Sequence, residues 1–231
     1  MKLGRAFWLW VLLCVCQALA SLAAAAPKLP NQAPQYLPIL IEELNTYHPK
    51  VQIAQFYPGL VEQESLWKLN ATLKTSREWG CGFGQFTVAY NANGSVRFDA
   101  LTETKRLHKS LSGWNWADCA NARYQLRAVV LKGKQHERFC EVYMDTPEDV
   151  KKCMGSSYNG GEGGFTKRIR MCRAKADCNP RLWDANLEKQ CAASNTKVHG
   201  YGESFCEINS RYPGRVFKRM EKYQPYMSPK P

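Results

Sequence analysis

Apolar residues cluster along this chain at the spacing of helices far more than in the alternation of strands. Tyr36-Leu37-Pro38-Ile39-Leu40-Ile41-Glu42-Glu43-Leu44 is an apolar run bounded by a Pro- and polar-rich stretch before it and Pro49 after it, and it predicts a first helix. Pro58-Gly59 punctuates the next start, and Leu60 to Leu69 reads as a second helix. From Ala117 to about Lys132, the apolar positions Ala122, Leu126, Val129 and Val130 recur at helical spacing. Thr146-Pro147-Glu148-Asp149 is a strong helix start, with a capping Thr, Pro in the first helical position and acids in the first turn. That helix leads into the glycine-rich stretch Tyr158 to Gly164. Asn91-Ala92-Asn93-Gly94 predicts a loop or hairpin turn. Alternating β pattern is scarce and no internal repeat occurs, so the expected fold is mainly α with a single helical domain. The last twenty residues carry several prolines and many charges, and 211–231 reads as a basic, surface-hugging tail.

The first segment sets the compartment. Lys2 and Arg5 precede the apolar run Phe7 to Cys16, which passes into small residues ending at Ala26 before Pro27, the arrangement of an export signal. Ala6 to Ala26 is also 21 residues without a charge, about the length that spans a bilayer, so a retained anchor stands beside a cleaved signal. The division expected is therefore 1–26 signal or anchor, 27–34 linker, 35–210 folded domain and 211–231 tail. Export follows, with tethering to a membrane through residues 6–26 under the anchor reading.

Composition sharpens this. With 231 residues and 45% hydrophobic content the chain has enough apolar material for one core, and little room for a second domain. Ten cysteines divide into Cys14 and Cys16 in the first segment and eight beyond it, an even number that predicts a disulfide-stapled domain in an oxidising compartment. No Cys-x-x-Cys follows the first segment and His136 and His199 stand alone, so no metal site is expected, nor any other cofactor. The formal charge of +12 draws the protein toward anions. Export and the lack of a recognisable nucleic-acid motif argue against nucleic acid and leave cell-wall and membrane anions.

Glu64 is the strongest candidate for chemistry. On a helix it shares a face with Leu60 and Val61 one turn before and with Trp67 and Lys68 one turn after. A carboxyl among apolar neighbours has its pKa raised, as a general acid near neutral pH requires. The same spacing fits an ordinary boundary acid paired with Lys68. Glu62, about 200° away around the helix at about 100° per residue, reads as a solvated surface acid. Gly80-Cys81-Gly82-Phe83-Gly84-Gln85-Phe86 suits a tight turn that presents Gln85, and Tyr158-Asn159 leads a second flexible polar segment.

Taken together and in order, Glu64-Ser65, Gly82-Phe83-Gly84-Gln85 and Ser157-Tyr158-Asn159-Gly160 resemble the three motifs of the lytic transglycosylase family, which has the lysozyme-like fold. Phe83 and Gly84 stand where the family has Leu and Met, and Ser157 where it has Ala. The resemblance implies an α+β lysozyme-like domain acting as a monomer on peptidoglycan glycan strands. It implies cleavage of the β-1,4 bond between N-acetylmuramic acid and N-acetylglucosamine with closure of a 1,6-anhydro ring. Glu64 takes the place of the catalytic acid and base, and Ser65, Gln85, Tyr158 and Asn159 those of the substrate-binding residues. The weakly apolar, alanine-rich first segment is similar to the signal-anchor-release segments of some phage endolysins, which implies a periplasmic enzyme tethered transiently to the inner membrane through residues 6–26, with host lysis as the biological role. A hydrolytic goose-type-like lysozyme with Glu78 or Asp99 as second carboxylate stays open. So do a periplasmic wall-remodelling enzyme, a secretion-associated enzyme and a non-catalytic wall-binding module. Trp114, Trp116 and Trp183 are either sugar-stacking platforms or core residues.

Overall fold

The computed structural model describes residues 28–191, 193–197 and 202–227. The signal or anchor segment, with Cys14 and Cys16, lies outside them. Among the described residues no helix is long and apolar enough to cross a membrane. The body is mainly helical, as expected, with one small sheet inserted after the second helix.

The first helix, α1 (Ala33–Tyr47), buries Tyr36, Leu37, Leu40 and Leu44 and tolerates Pro38 one turn in. The second, α2 (Phe56–Ser65), begins four residues earlier than its apolar pattern predicts and ends four earlier. It ends where Leu66 and Trp67 both take left-handed backbone, φ 51° and 62°, an uncommon conformation for large side chains that halts the helix abruptly. Trp67 is then turned inward and fully buried, while Leu66 faces solvent.

The small sheet is compatible with the mainly α expectation, which did not place its strands. It is an antiparallel meander of β1 (Thr72–Lys74), β2 (Glu78–Cys81), β3 (Phe86–Tyr90) and β4 (Val96–Asp99), joined by tight turns. Cys81 pairs with Phe86 and Trp79 with Val88. Strands of three to five residues are too short to display a period, so their alternation is invisible in the chain. The Asn91–Ser95 turn between β3 and β4 falls where Asn and Gly predict it. A short helix, α3 (Ala100–Lys105), follows, capped by Asp99.

Two long helices complete the frame. The first, α4 (Ala122–Glu141), starts at the cap Asn121 and buries Leu126, Ala128, Val129 and Val130. The second, α5 (Pro147–Arg173), starts at the predicted Thr146 cap. It carries Tyr158 and Asn159, expected on a loop, and breaks only at Gly161, whose φ of 75° and ψ of 154° make a kink between two helical segments.

The C-terminal segment is the largest correction. Rather than a surface tail, residues Phe205–Met220 form α6, opened by a capping box between Ser204 and Glu207. Tyr212, Val216 and Tyr223 lie in the main core. The charges that suggested a tail fall on one face of an amphipathic helix, and the buried face carries the opposite pattern. Helix α6 packs against α2 with unusual intimacy: a Cβ on Gly59 would lie 2.7 Å from Cβ and 2.9 Å from Cα of Met220. Only glycine permits that approach, and it sets the distance at which α6 presents Tyr212 to the end of α2.

All eight cysteines beyond the first segment pair at disulfide distance: Cys81–Cys119, Cys140–Cys153, Cys172–Cys178 and Cys191–Cys206. The disulfide-rich reading therefore holds. Trp114 and Trp183 are core residues, whereas Trp116 is half-buried and packs on Trp79 with ring centroids 4.7 Å apart.

Candidate active site

Glu64 occupies the last turn of α2, where the helix stops, and its side chain meets α6. The hydroxyl of Tyr212 donates a hydrogen bond to Glu64 Oε1. Burial pushes the Glu64 carboxyl from 4.5 up to about 7, against the opposing pull of the Tyr212 bond. Glu64 is thus a protonated or half-protonated acid near neutral pH, and loss of contact with water, not a neighbouring charge, is what makes it so. Because the helix ends at Ser65, Lys68 is not one turn further along it; Lys68 is exposed, and Tyr212 is the partner of Glu64.

Tyr158 comes to the same place from α5. Its hydroxyl donates to the carbonyl of Gly84 at 2.7 Å. Burial, with the nearby Glu64 charge adding to it, holds its phenol well above the ordinary tyrosine range. Tyr212 is shifted the same way, by burial first and then by Glu64. Both phenols therefore stay protonated, Tyr212 donating to the Glu64 carboxyl and Tyr158 to the Gly84 carbonyl.

The surroundings of Gly84 leave no room for a side chain. A Cβ there would lie 2.7 Å from the Tyr158 hydroxyl, 2.7 Å from the Phe86 ring and 2.8 Å from Val129 Cγ2. The turn between β2 and β3 is pressed onto α4 and Tyr158 so closely that no side chain fits. Gln125, fully buried on α4, fixes the turn from beneath: its Oε1 accepts from the Phe83 amide at 2.5 Å and its Nε2 donates to the Cys119 carbonyl. The Cys81–Cys119 link holds the same two segments together covalently. Phe83 is in turn packed edge-on against Tyr36 and Trp67, centroids 4.9 and 5.9 Å away.

The remaining expected residues divide. Ser65 is buried, and its hydroxyl donates back to the Val61 carbonyl at 3.0 Å, so it is spent inside the helix. Gln85, at φ 46°, donates its amide to the carbonyls of Gly82 at 3.0 Å and Ala71 at 3.3 Å and braces its own turn. Asn159 is exposed next to the Gly161 kink. Beside it, the buried His136 donates from Nδ1 to Glu162 at 2.9 Å and sets its ring edge-on to Tyr158.

Glu62 is not the surface acid expected. It is buried and bonded to Lys222 at 2.8 Å and to the Tyr223 hydroxyl at 2.5 Å, and the Trp67 indole donates to that same hydroxyl at 2.7 Å. Its helical position does point away from Glu64, but the C-terminal segment covers that side. Glu78 is bound to Arg97 at 3.0 Å, and Asp99 caps α3 while accepting from the Trp116 indole at 3.2 Å. Neither is among the groups that perturb Glu64.

Tyr212 is the partner of Glu64 that the sequence concealed. It stands 148 positions from Glu64 in a segment whose composition suggested a tail. The amphipathic spacing of Tyr212, Val216 and Tyr223 is the one signal that marks it.

No protein-family model matches the chain and no curated protein matches it in sequence, so the case for its chemistry rests on this geometry.

Proposed function

We propose that this protein is a peptidoglycan lytic transglycosylase with a lysozyme-like helical domain, in which Glu64 is the single acid and base. The observation that carries the reading is a carboxyl raised to about 7 by burial and bonded by the neutral phenol of Tyr212, with Tyr158 nearby on the Gly84 carbonyl of the β2–β3 turn. An acid poised near the working pH gives the best compromise between holding a proton and releasing it.

In the first step Glu64 gives its proton to the glycosidic oxygen as the bond to the muramyl anomeric carbon breaks. The substrate's own N-acetyl oxygen stabilises the positive charge that develops there. In the second, the Glu64 carboxylate takes the proton of the muramyl C6 hydroxyl, whose oxygen closes on the anomeric carbon as the N-acetyl oxygen leaves. Glu64 ends as it began and no water is consumed. Substrate assistance stands in for the second carboxylate that most glycosidases carry. The commitment of Glu78 to Arg97 and of Asp99 to α3 supports this scheme over direct hydrolysis. Tyr212 donates to the carboxylate form and steadies it between the two steps, and Tyr158 fixes the turn that borders the site.

The four disulfide pairs are compatible with an exported protein, and the charge of +12 suits a wall polymer rich in carboxylates. With the apolar first segment, these features support a periplasmic enzyme of phage-induced host lysis. The test is release of soluble fragments from purified peptidoglycan by the oxidised protein and by Glu64→Gln. A loss of at least about a hundredfold in the folded variant is expected, in line with removal of a general acid. Undiminished release by folded Glu64→Gln overturns the reading.

A further inference from the structure

At the far end of α4 lies a second polar site that plays no part in the chemistry above. Gln125 and Val129, in the first half of the helix, meet the β2–β3 turn, whereas its second half lines a cavity of about 400 Å³. The other walls are the connection from α1 to α2 and the first turn of α5. The Cys140–Cys153 link joins α4 to α5 and makes those walls rigid. The volume falls within the range of small-ligand clefts.

The cavity is built over a buried chain of charges. Glu137 accepts from His48 Nε2 with one carboxylate oxygen and from Lys151 Nζ with the other. Lys151 has no exposed surface and lies 6.0 Å from the Phe56 ring centroid and 5.9 Å from that of Tyr57. Burial alone raises the Glu137 carboxyl, and the His48 bond and the Lys151 charge outweigh it, so Glu137 stays ionised. Both oxygens of Glu137 and the Nε2–H of His48 are thus occupied within the chain itself.

The balance of charge around the cavity is positive. Glu137 is neutralised by Lys151 from below, and Asp145 is held by Arg181 at 2.6 Å. Against the remaining acid, Glu141, stand Lys50, Lys134 and Arg138. Lys134 donates one of its three N–H groups to the Tyr47 carbonyl at 2.7 Å. Lys50 and Arg138 are exposed and have no hydrogen-bond or ion-pair partner among the described residues.

We propose that this cavity binds a compact oxyanion, a carboxylate or a phosphate, held by Arg138, Lys134 and Lys50. Arg138 offers the two-pronged geometry that such groups favour, and the lysines supply point charge. The same chemistry is presented by a free phosphate and by the carboxylate end of a wall peptide. The site is independent of the assignment of Glu64.

The test is a ¹⁵N-resolved NMR titration of the oxidised protein at constant ionic strength, with inorganic phosphate and with N-acetyl-D-alanyl-D-alanine as probes. Saturable shifts confined to residues 48–52, 134–141 and 144–150 are expected with at least one probe. Tighter binding of phosphate assigns a free anion, and tighter binding of the dipeptide assigns a peptide carboxylate. The double variant Lys50→Gln/Arg138→Gln, at exposed positions that leave the fold intact, is expected to weaken binding at least about tenfold. Its activity on peptidoglycan fragments too short to carry both sites is expected to be unchanged. Shifts that rise linearly without saturation for both probes, or equal affinity in the double variant, overturn the proposal.

Discussion

The Tyr212 hydroxyl donates to Glu64 Oε1, joining the last turn of α2 to the middle of α6. The contact depends on the close passage of the two helices at Gly59 and Met220, so the site is as much a product of helix packing as of the residues that touch. A hydrogen bond to the carboxylate favours its charged form and opposes the effect of burial.

Two consequences for pH dependence follow. Cleavage requires protonated Glu64 in the free enzyme, so kcat/KM is expected to fall as pH rises through about 7. In Tyr212→Phe the bond that lowers the pKa is gone, so the falling limb is expected to move to higher pH, with a reduced maximum. A pH–rate profile of both proteins checks this; an unmoved limb in Tyr212→Phe contradicts it.

Stability carries the opposite sign to that of a salt-bridged acid. The Glu64 pKa is raised on folding, so the folded state is favoured below the unfolded value of 4.5 and loses that advantage as pH climbs to about 7. Glu64→Gln removes the burden of a buried charge. It is expected to be more stable than wild type at pH 8, by up to about 3 kcal/mol at about 1.4 kcal/mol per pKa unit, and equal to it at pH 4. Denaturant melts at the two pH values decide it.

Gly84→Ala tests the closeness of the turn. Its methyl carbon would meet Tyr158, Phe86 and Val129 at under 3 Å. Overpacking of this kind costs about 1–3 kcal/mol. Activity is expected to fall further than stability, because Tyr158 loses its seat on the Gly84 carbonyl. Thermal denaturation and fragment release measured together separate the two effects.

The order of the elements shows what the chain discloses and what it hides. The Thr146 cap placed the start of α5 to the residue, because a capping side chain acts on the two or three amides next to it. Glu64 was legible for a similar reason: Leu60 and Val61 are its neighbours within one turn. Glu62 was not, since its burial depends on Lys222 and Tyr223, some 160 residues away. Tyr158 was expected on a loop and stands on a helix, because one glycine at position 161 absorbs the bend that four suggested. Ser65 and Gln85 were expected to bind substrate, but their polar atoms are satisfied by nearby backbone, and only side-chain geometry reveals that.

Gln125 gives a prediction on the frame rather than the chemistry. In Gln125→Leu the Phe83 amide and the Cys119 carbonyl both lose a buried partner. Each unsatisfied group costs about 1–3 kcal/mol, so a marked drop in the urea midpoint is expected with the disulfides intact. A midpoint within error of wild type contradicts the role given to Gln125.

The central claim, that Glu64 acts alone as acid and base, is tested most directly by the mass of the glycan ends released from purified peptidoglycan. Cleavage through Glu64 without a water-activating carboxylate gives 1,6-anhydro-muramyl ends, lighter by one water than reducing ends, and none from Glu64→Gln. Reducing ends from the wild-type protein would contradict the account and require a second group, not yet assigned, that activates water.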